Sequence, residues 1–168
     1  MTSKLIKIII GKNEILIDKK DVKGLDLSAL WIDNCEYVRV GKNKLLHRII
    51  MNAPAGMEVD HRNNNKLDNR RSNLRICTAA QNKKNRPKQK NNSSGYKGVD
   101  YKKNCKSYRA RISADNQRFY LGDFKTAEEA GAAYDKAAKK YHGKFRYVDK
   151  AQQKTKTRKP RKKTRSKK

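Results

Sequence analysis

The sequence predicts an α+β protein built from small antiparallel sheets with few helices. Three observations lead to this class. Short runs that alternate β-branched and polar residues are separated by turns rich in Gly and Asn, which is the pattern of hairpins. Two capping-box sequences mark the starts of helices. Hydrophobic residues make up only 35% of the chain, so any core is small.

The charge of the chain indicates its class of partner. Lys and Arg number 44 against 16 acidic residues, which gives a formal net charge of +28. A small substrate does not require this charge, whereas a polyanion does, and nucleic acid is the commonest one. No apolar run reaches the ~18 residues of a membrane span. We therefore expect a soluble, intracellular protein with neither a membrane nor a small molecule as its partner.

The N-terminal part of the chain predicts a β-rich segment. Residues 4–17 alternate around a glycine turn and predict a hairpin. Residues 20–31 have apolar positions at helical spacing, although Gly24 weakens that pattern. Residues 37–47 predict a second hairpin-like unit, and Trp31 is expected to anchor the small core.

The next part predicts two strands followed by a helix. A turn-rich stretch and a long Asn-rich loop precede a short strand at residues 74–77. Thr78 and Gln81 have the spacing of a capping box, which predicts a helix that begins at Ala79. Asn82 and Asn85 would lie in the first two turns of that helix.

A second unit follows a polar linker. It is expected to contain three strands and an Ala-rich helix, which starts at the capping box of Thr126 and ends before Gly143. Asp115-Asn116 predicts a tight turn between the last two strands. The strands are expected at residues 96–101, 108–113 and 117–124. The predicted division of the chain is residues 1–86, linker 87–93, residues 94–149, and a disordered basic tail at residues 150–168.

The residues around Asp60 and His61 have the chemistry of a phosphodiesterase. Phosphodiester hydrolysis needs an activated water and stabilisation of the leaving oxygen. His61 can be the general base, because a histidine pKa lies near neutral pH. Asp60 is a hard oxygen ligand for Mg²⁺ or Mn²⁺, and Asn82 can supply a second oxygen. Because neighbours in a strand point to opposite faces, Asp60 and His61 act together only if the strand is twisted or bulged.

Several assignments stay open at this point. Asn85 is an alternative to Asn82, since it lies one helical turn further on. His47 either contacts the scissile phosphate or has a structural role, and His142 is expected to be a helix C-terminal residue. Asn73 could accept the ring proton of His61 and so fix its tautomer. The candidate phosphate contacts are Arg62, Arg70, Arg71, Arg75 and Arg86.

Residues 44–86 resemble the HNH homing-endonuclease family, in the subgroup with Asn at the third position. The LHR lead-in, the Asp-His pair, the NKLDNRRSNLR loop and the QNKKNR helix occur in the family's order. The resemblance implies a ββα-metal nuclease in which Asp60 and Asn82 hold one divalent ion. It also implies that His61 is the general base, that Asn73 braces it, and that the products carry 5′-phosphate and 3′-hydroxyl ends.

Residues 94–149 resemble the plant AP-two/ethylene-response-factor DNA-binding domain through the markers YKGV, YLGDF and AAYDKAA. The implied fold is a three-stranded antiparallel sheet on one helix. Strand alternation independently turns Ala110 and Ile112 toward that helix. The opposite face suits a major groove because it interleaves Arg and Tyr. Its residues are Arg109, Arg111, Ser113, Arg118 and Tyr120, flanked by Lys97 and Lys102. Asp100 stands where the plant family often carries a DNA-contacting Arg, so that family's base preference is not carried over.

Together these features predict a site-directed, homing-type DNA endonuclease with one Mg²⁺ or Mn²⁺ per active site. Such architecture resembles enzymes of mobile elements and viruses, which would place a viral protein in the host cytoplasm or nucleus. A monomer acting on double-stranded DNA would nick one strand. The alternative is a non-catalytic, sequence-specific DNA-binding regulator whose nuclease part has decayed. A basic RNA-binding protein is disfavoured, because the major groove of A-form RNA is too narrow for such a sheet face.

Overall fold

The computed structural model describes residues 5–149, and within that range the chain is an α+β protein, as expected. Its strands form four small antiparallel sheets. The strands are β1 (Leu5–Ile10), β2 (Asn13–Asp18), β3 (Leu30–Ile32), β4 (Val38–Val40), β5 (Lys44–Leu45), β6 (Glu58–His61), β7 (Leu74–Cys77), β8 (Val99–Lys102), β9 (Ser107–Ala114) and β10 (Gln117–Phe124). The helices are α1 (Lys19–Val22), α2 (Leu46–Met51), α3 (Ala79–Asn85) and α4 (Ala127–Tyr141).

The N-terminal hairpin confirms the alternating pattern of the sequence. β1 pairs with β2, and Gly11 makes the turn between them with a φ of 58°. The side chains of Ile15 and Ile17 are fully buried. They belong to a first hydrophobic core, which consists of Ile15, Ile17, Leu30, Val38, Leu46, Ile50, Val59 and Leu74.

The helix expected over residues 20–31 is wrong in extent. α1 ends at Val22, Gly24 takes a φ of 86°, and the chain continues through the 3-10 turn Leu27–Ala29 into β3. Trp31 is 41% exposed and therefore does not anchor the core. Its indole N–H instead donates to the carbonyl of Gly41 at 2.8 Å. Gly24 interrupts the helical backbone, and the pairing of β3 with β4 takes Leu30–Ile32 into a sheet.

β6, β7 and α3 form the predicted strand–loop–strand–helix unit. β6 and β7 pair antiparallel without a register shift, with Asp60 opposite Arg75 and His61 opposite Leu74. Both halves of the capping box of Thr78 are present, and α3 begins at Ala79 as expected.

The C-terminal sheet packs one face on α4. Ile112 and Ala110 are buried against this helix together with Tyr134, as the alternation predicted. Asp115 and Asn116 take φ values of 50° and 61°, which confirms the tight turn. The first strand starts at Val99, later than expected, because Gly98 must approach the helix. A Cβ at Gly98 would lie 2.3 Å from the ring of Tyr134. This distance is a steric clash, so the position requires glycine, which has no Cβ.

The capping box of Thr126 and the stop at Gly143, which has a φ of 52°, are also as predicted. A 3-10 turn, Gly143–Phe145, follows α4. The basic tail expected at residues 150–168 lies outside the described residues. No helix within residues 5–149 is long and apolar enough to cross a membrane.

Candidate nuclease site and DNA-reading face

The loop between β6 and β7 is tied to the N-terminal hairpin. The backbone of Leu16 accepts from the N–H of Asn69 at 2.8 Å and donates to Leu67 at 2.9 Å. The carboxylate of Asp18 accepts from the N–H of Arg71 at 2.9 Å. Asp68 is 1% exposed and pairs with Arg70 at 2.7 Å. The β-rich segment therefore fixes the loop that borders the Asp60-His61 pair.

One face of β6 carries two carboxylates toward α3. The amide nitrogen of Asn85 donates to both oxygens of Asp60, at 2.9 and 3.1 Å, and to the carbonyl of His61 at 3.0 Å. Two residues earlier on the same face, Glu58 accepts from the amide of Asn82 at 2.7 Å. The structure thus places Asn85 at Asp60, and places Asn82, the predicted ligand, at Glu58.

Arg75 is a buried partner of Asp60. Its Nε and Nη2 atoms lie 2.7 and 2.5 Å from Asp60 Oδ2. Its remaining nitrogen, Nη1, donates to the carbonyl of Lys144, and its guanidinium carbon lies 4.3 Å from the ring centroid of Phe145. Arg75 was a candidate phosphate contact, but each of its three nitrogens already donates to a partner inside the protein.

The oxygen donors on this face fit a hard divalent cation. Carboxylates and amide oxygens are ligands that Mg²⁺ and Mn²⁺ accept. The amide oxygen of Asn85 is buried and lacks a hydrogen-bond partner within the described residues. The guanidinium of Arg75 competes with such an ion, because it already neutralises Asp60. In the part of the chain that the structure covers, no cluster of three or more His, Cys, Asp and Glu is placed to hold a metal ion.

His61 points to the other face of the hairpin, as strand alternation requires. Its ring lies 5.1 Å from the ring of His47 and 6.2 Å from that of Tyr37, between centroids. Burial is the main reason that the pKa of His61 falls below its ordinary value, and the hydrogen bond that its ring donates to Asn69 Oδ1 opposes this shift. A neutral ring at neutral pH has a nitrogen that can accept a proton.

Asn69, rather than Asn73, contacts the ring of His61. Asn69 Oδ1 lies 3.4 Å from Nε2 of His61. Asn73 instead stabilises the loop, since its amide nitrogen donates to the carbonyl of Asp68 at 2.8 Å and its oxygen accepts from the N–H of Asn63 at 3.1 Å. The side chain of Asn73 therefore holds the loop that borders His61.

His47 lies in the interior beside His61. Its pKa is lowered to about 4, first by burial and then by the neighbouring His61, so the ring is neutral at physiological pH. Its Nδ1 atom is buried without a hydrogen-bond partner among the described residues. The structure therefore places His47 beside His61, the candidate base. A contact with the scissile phosphate and a structural role both remain predictions for His47.

The outer face of the C-terminal sheet carries the predicted basic residues, but several are paired. Asp100 accepts hydrogen bonds from both Arg109 and Arg111. Lys102 pairs with Asp123 at 2.9 Å. The exposed side chains on this face include Ser113, Arg118 and Tyr120, and Tyr120 is 62% exposed.

Lys97 does not lie on this face. Its ammonium donates to the carbonyls of Lys84 at 2.9 Å and Arg86 at 2.6 Å, which are the unpaired acceptors at the end of α3. Burial lowers the pKa of Lys97 to about 8. Lys97 thus joins α3 to the C-terminal unit, while the side chain of Arg86 is exposed. His142 closes α4 as expected and lies 2.9 Å from the carbonyl of Ser113.

Sequence reasoning missed Glu58, Asn69, Tyr37 and the contact of Arg75 with Phe145. Glu58 could have been found, because it lies two positions before Asp60 in a strand and so shares its face. Tyr37 and Phe145 are distant in the chain from the residues that they contact, and no local pattern marks such a contact.

The comparisons with known proteins agree with this architecture. An HNH endonuclease family model matches residues 44–84, and an AP2 domain model matches residues 94–144. An uncharacterized HNH endonuclease of Acanthamoeba polyphaga mimivirus is 34% identical over 106 residues, which are 60% of this chain and 54% of that protein. The chain thus spans about half the length of this curated relative. No solved structure matches the chain.

The comparisons find two known kinds of segment along the chain. Both resemblances read from the sequence are confirmed: residues 44–84, which contain Asp60 and His61, match the HNH endonuclease model, and residues 94–144 match the AP2 domain model.

Proposed function

We propose that the protein is a metal-dependent, site-directed DNA endonuclease of the homing type. Residues 94–149 would bind double-stranded DNA and set the register, and the Asp60-His61 pair would cut. One active site per chain means that a monomer would nick one strand.

One observation carries this proposal. Within a segment that matches an HNH endonuclease model, the end of β6 holds a buried histidine on one face and a buried carboxylate on the other. Each has amide side chains beside it, Asn69 at His61 and Asn85 at Asp60. β6 pairs with β7 without a bulge and keeps Asp60 and His61 on opposite faces. His61 is the last residue of β6, so the end of the strand is where both side chains can border one phosphate. A phosphate at that end could meet a base and an anchored carboxylate together.

The chemistry follows from the residues. The neutral ring of His61 takes a proton from the attacking water, and Asn69 holds the ring in place. Asp60 and Asn82, with Asn85 as the alternative to Asn82, would hold Mg²⁺ or Mn²⁺. A bound ion would supply charge neutralisation at the phosphate and at the leaving oxygen.

A plasmid assay tests the proposal. Supercoiled plasmid incubated with the full chain should become open-circular in Mg²⁺ or Mn²⁺, and excess EDTA should prevent this. Binding to the same plasmid should persist in EDTA, because lysines and arginines rather than the ion provide most of the affinity. Nicking that continues unchanged in EDTA would falsify the metal dependence.

A second candidate function is a sequence-specific DNA-binding regulator without catalysis. Two observations favour it: Arg75 neutralises Asp60, and the side chain of His61 is only 5% exposed. A regulator of this kind would bind the plasmid but leave it intact in both Mg²⁺ and EDTA.

The two asparagines of α3 should separate into different roles. Asn82→Ala is expected to weaken metal affinity with little loss of stability, since Asn82 is only half-buried. Asn85→Ala is expected to lower the free energy of unfolding by ~1–3 kcal/mol, because the buried Asp60 and the carbonyl of His61 lose their donor. Mn²⁺ titration followed by electron paramagnetic resonance, together with urea unfolding, measures both effects. If Asn85→Ala abolishes Mn²⁺ binding while Asn82→Ala does not, Asn85 is the ligand.

A further inference from the structure

Asp100 links two arginines of the DNA-reading face. It lies directly opposite Arg109 in the pairing of β8 with β9, and Arg111 follows on the same face of β9. Asp100 Oδ2 accepts from Arg109 Nη2 at 2.7 Å and Nε at 3.1 Å, and Asp100 Oδ1 accepts from Arg111 Nη2 at 2.8 Å. One carboxylate thus holds two guanidinium groups from neighbouring outward positions.

This arrangement leaves donors of both arginines directed away from Asp100. Arg109 uses its Nε–Nη2 edge, so its Nη1–Nη2 edge keeps a parallel pair of N–H donors. Arg111 uses only one N–H of Nη2. A guanine presents two acceptors, N7 and O6, in the major groove, and a paired N–H edge of arginine matches them.

The carboxylate of Asp100 stays charged while it accepts these hydrogen bonds. Burial would raise the pKa of Asp100, but the hydrogen bonds and charges of Arg109 and Arg111 outweigh it and hold this pKa below its ordinary value. All three side chains are about one-third exposed, so the ion pairs add little to stability. What they add is orientation, because two long side chains lose their rotational freedom before DNA arrives.

We propose that Asp100, Arg109 and Arg111 form one base-reading unit that selects guanine at two neighbouring positions of double-stranded DNA. The unit rests on the proposed DNA-reading role of this sheet. Asp100 is its positioning residue, and the two arginines make the base contacts.

The same face contains a matched control. Asp123 pairs with Lys102 at 2.9 Å, and both side chains are as exposed as the Asp100 group. Lysine has no planar edge with two parallel donors, so it cannot read N7 and O6 as an arginine does. Asp100→Asn and Asp123→Asn therefore remove the same charge from the same face. Asp123 lies opposite Arg109 in the pairing of β10 with β9 and acts on it through charge, so only Asp100→Asn removes the hydrogen bonds that orient the arginines.

The test is selection of bound duplexes from a randomised pool by the full chain in EDTA, which keeps cleavage out of the measurement. The wild-type protein is expected to prefer guanine at two neighbouring positions. Asp100→Asn should lower that preference by at least ~10-fold at those positions, without weaker binding to mixed-sequence DNA. Asp123→Asn should leave the preference unchanged. Arg111→Lys, which keeps the charge, should lose guanine at one position and keep the salt dependence of binding.

The outcomes separate this inference from the proposed function. If Asp100→Asn selects the same sites as the wild type, or if the lost positions are not guanines, the base-reading unit is refuted and the DNA-reading role stands. If the wild type selects no sequence at all, the reading role and this unit both fail, while plasmid nicking in Mg²⁺ still reports on the nuclease separately.

Discussion

His61→Ala is expected to reduce DNA cleavage by at least ~10²-fold, the lower end of general-base catalysis, while DNA affinity stays near that of the wild type. The physical reason is the position of the ring, which is 5% exposed and lies between Asn69 and His47. Such a ring adds little contact area for DNA, so its removal takes away a proton acceptor and not a binding group. Single-turnover nicking rates and gel-shift titrations measure the two effects.

Two further variants make this result specific. His61→Gln keeps a polar side chain in the pocket but cannot accept the proton near neutral pH, and it should show the same loss. His142→Ala changes another buried histidine, which lies against Ser113, and should leave the nicking rate unchanged. A His61→Ala protein that cuts at the wild-type rate would assign the base to another residue, and His47 would be the first to test.

The sequence predicted correctly those elements that depend on interactions between residues close in the chain. The two capping boxes were right because a side chain and a backbone group three residues apart need nothing else to pair. The Asp115-Asn116 turn was right because both residues tolerate positive φ. The helix over residues 20–31 was wrong because the pairing of β3 with β4 brought in a partner that no local pattern reveals.

The candidate site was predictable in composition but not in pairing. The sequence indicated Asp60 and His61 on opposite faces of one strand, and the structure has them there. It did not indicate which amide meets which group, since one turn of helix separates Asn82 from Asn85. A choice between them depends on how α3 sits on β6, which is a matter of tertiary packing.

The cover over Arg75 is a further feature that only tertiary structure reveals. Lys144 is the last residue that the AP2 domain model matches and Phe145 follows it, whereas Arg75 and Asp60 lie in the segment that matches the HNH endonuclease model. The candidate nuclease site is therefore covered on one side by the residues that follow α4. Because the guanidinium of Arg75 bonds both Asp60 and the carbonyl of Lys144, removing it should destabilise the packing around both residues.

Arg75→Ala is accordingly expected to lower the free energy of unfolding by ~3–5 kcal/mol, the cost of leaving a buried charge without its partner. The side chains of Arg75 and Asp60 are 10% and 5% exposed, so water cannot replace the lost hydrogen bonds. The matched control is Arg71→Ala, which breaks the pair with Asp21. There the arginine is 43% exposed whereas Asp21 is 7% exposed, so a smaller loss of ~1 kcal/mol is expected. Urea unfolding monitored by circular dichroism compares the two variants.

A double variant distinguishes an unpaired charge from lost packing. Arg75→Met with Asp60→Asn keeps side chains of similar size and removes both charges, so most of the stability lost in Arg75→Ala should return. Hydrogen exchange at residues 143–145 should be faster in Arg75→Ala, because the guanidinium no longer holds the carbonyl of Lys144 or the ring of Phe145. A loss in Arg75→Ala no larger than in Arg71→Ala would mean that Asp60 does not depend on Arg75, and that its carboxylate is solvated well enough to accept a cation without displacing a guanidinium.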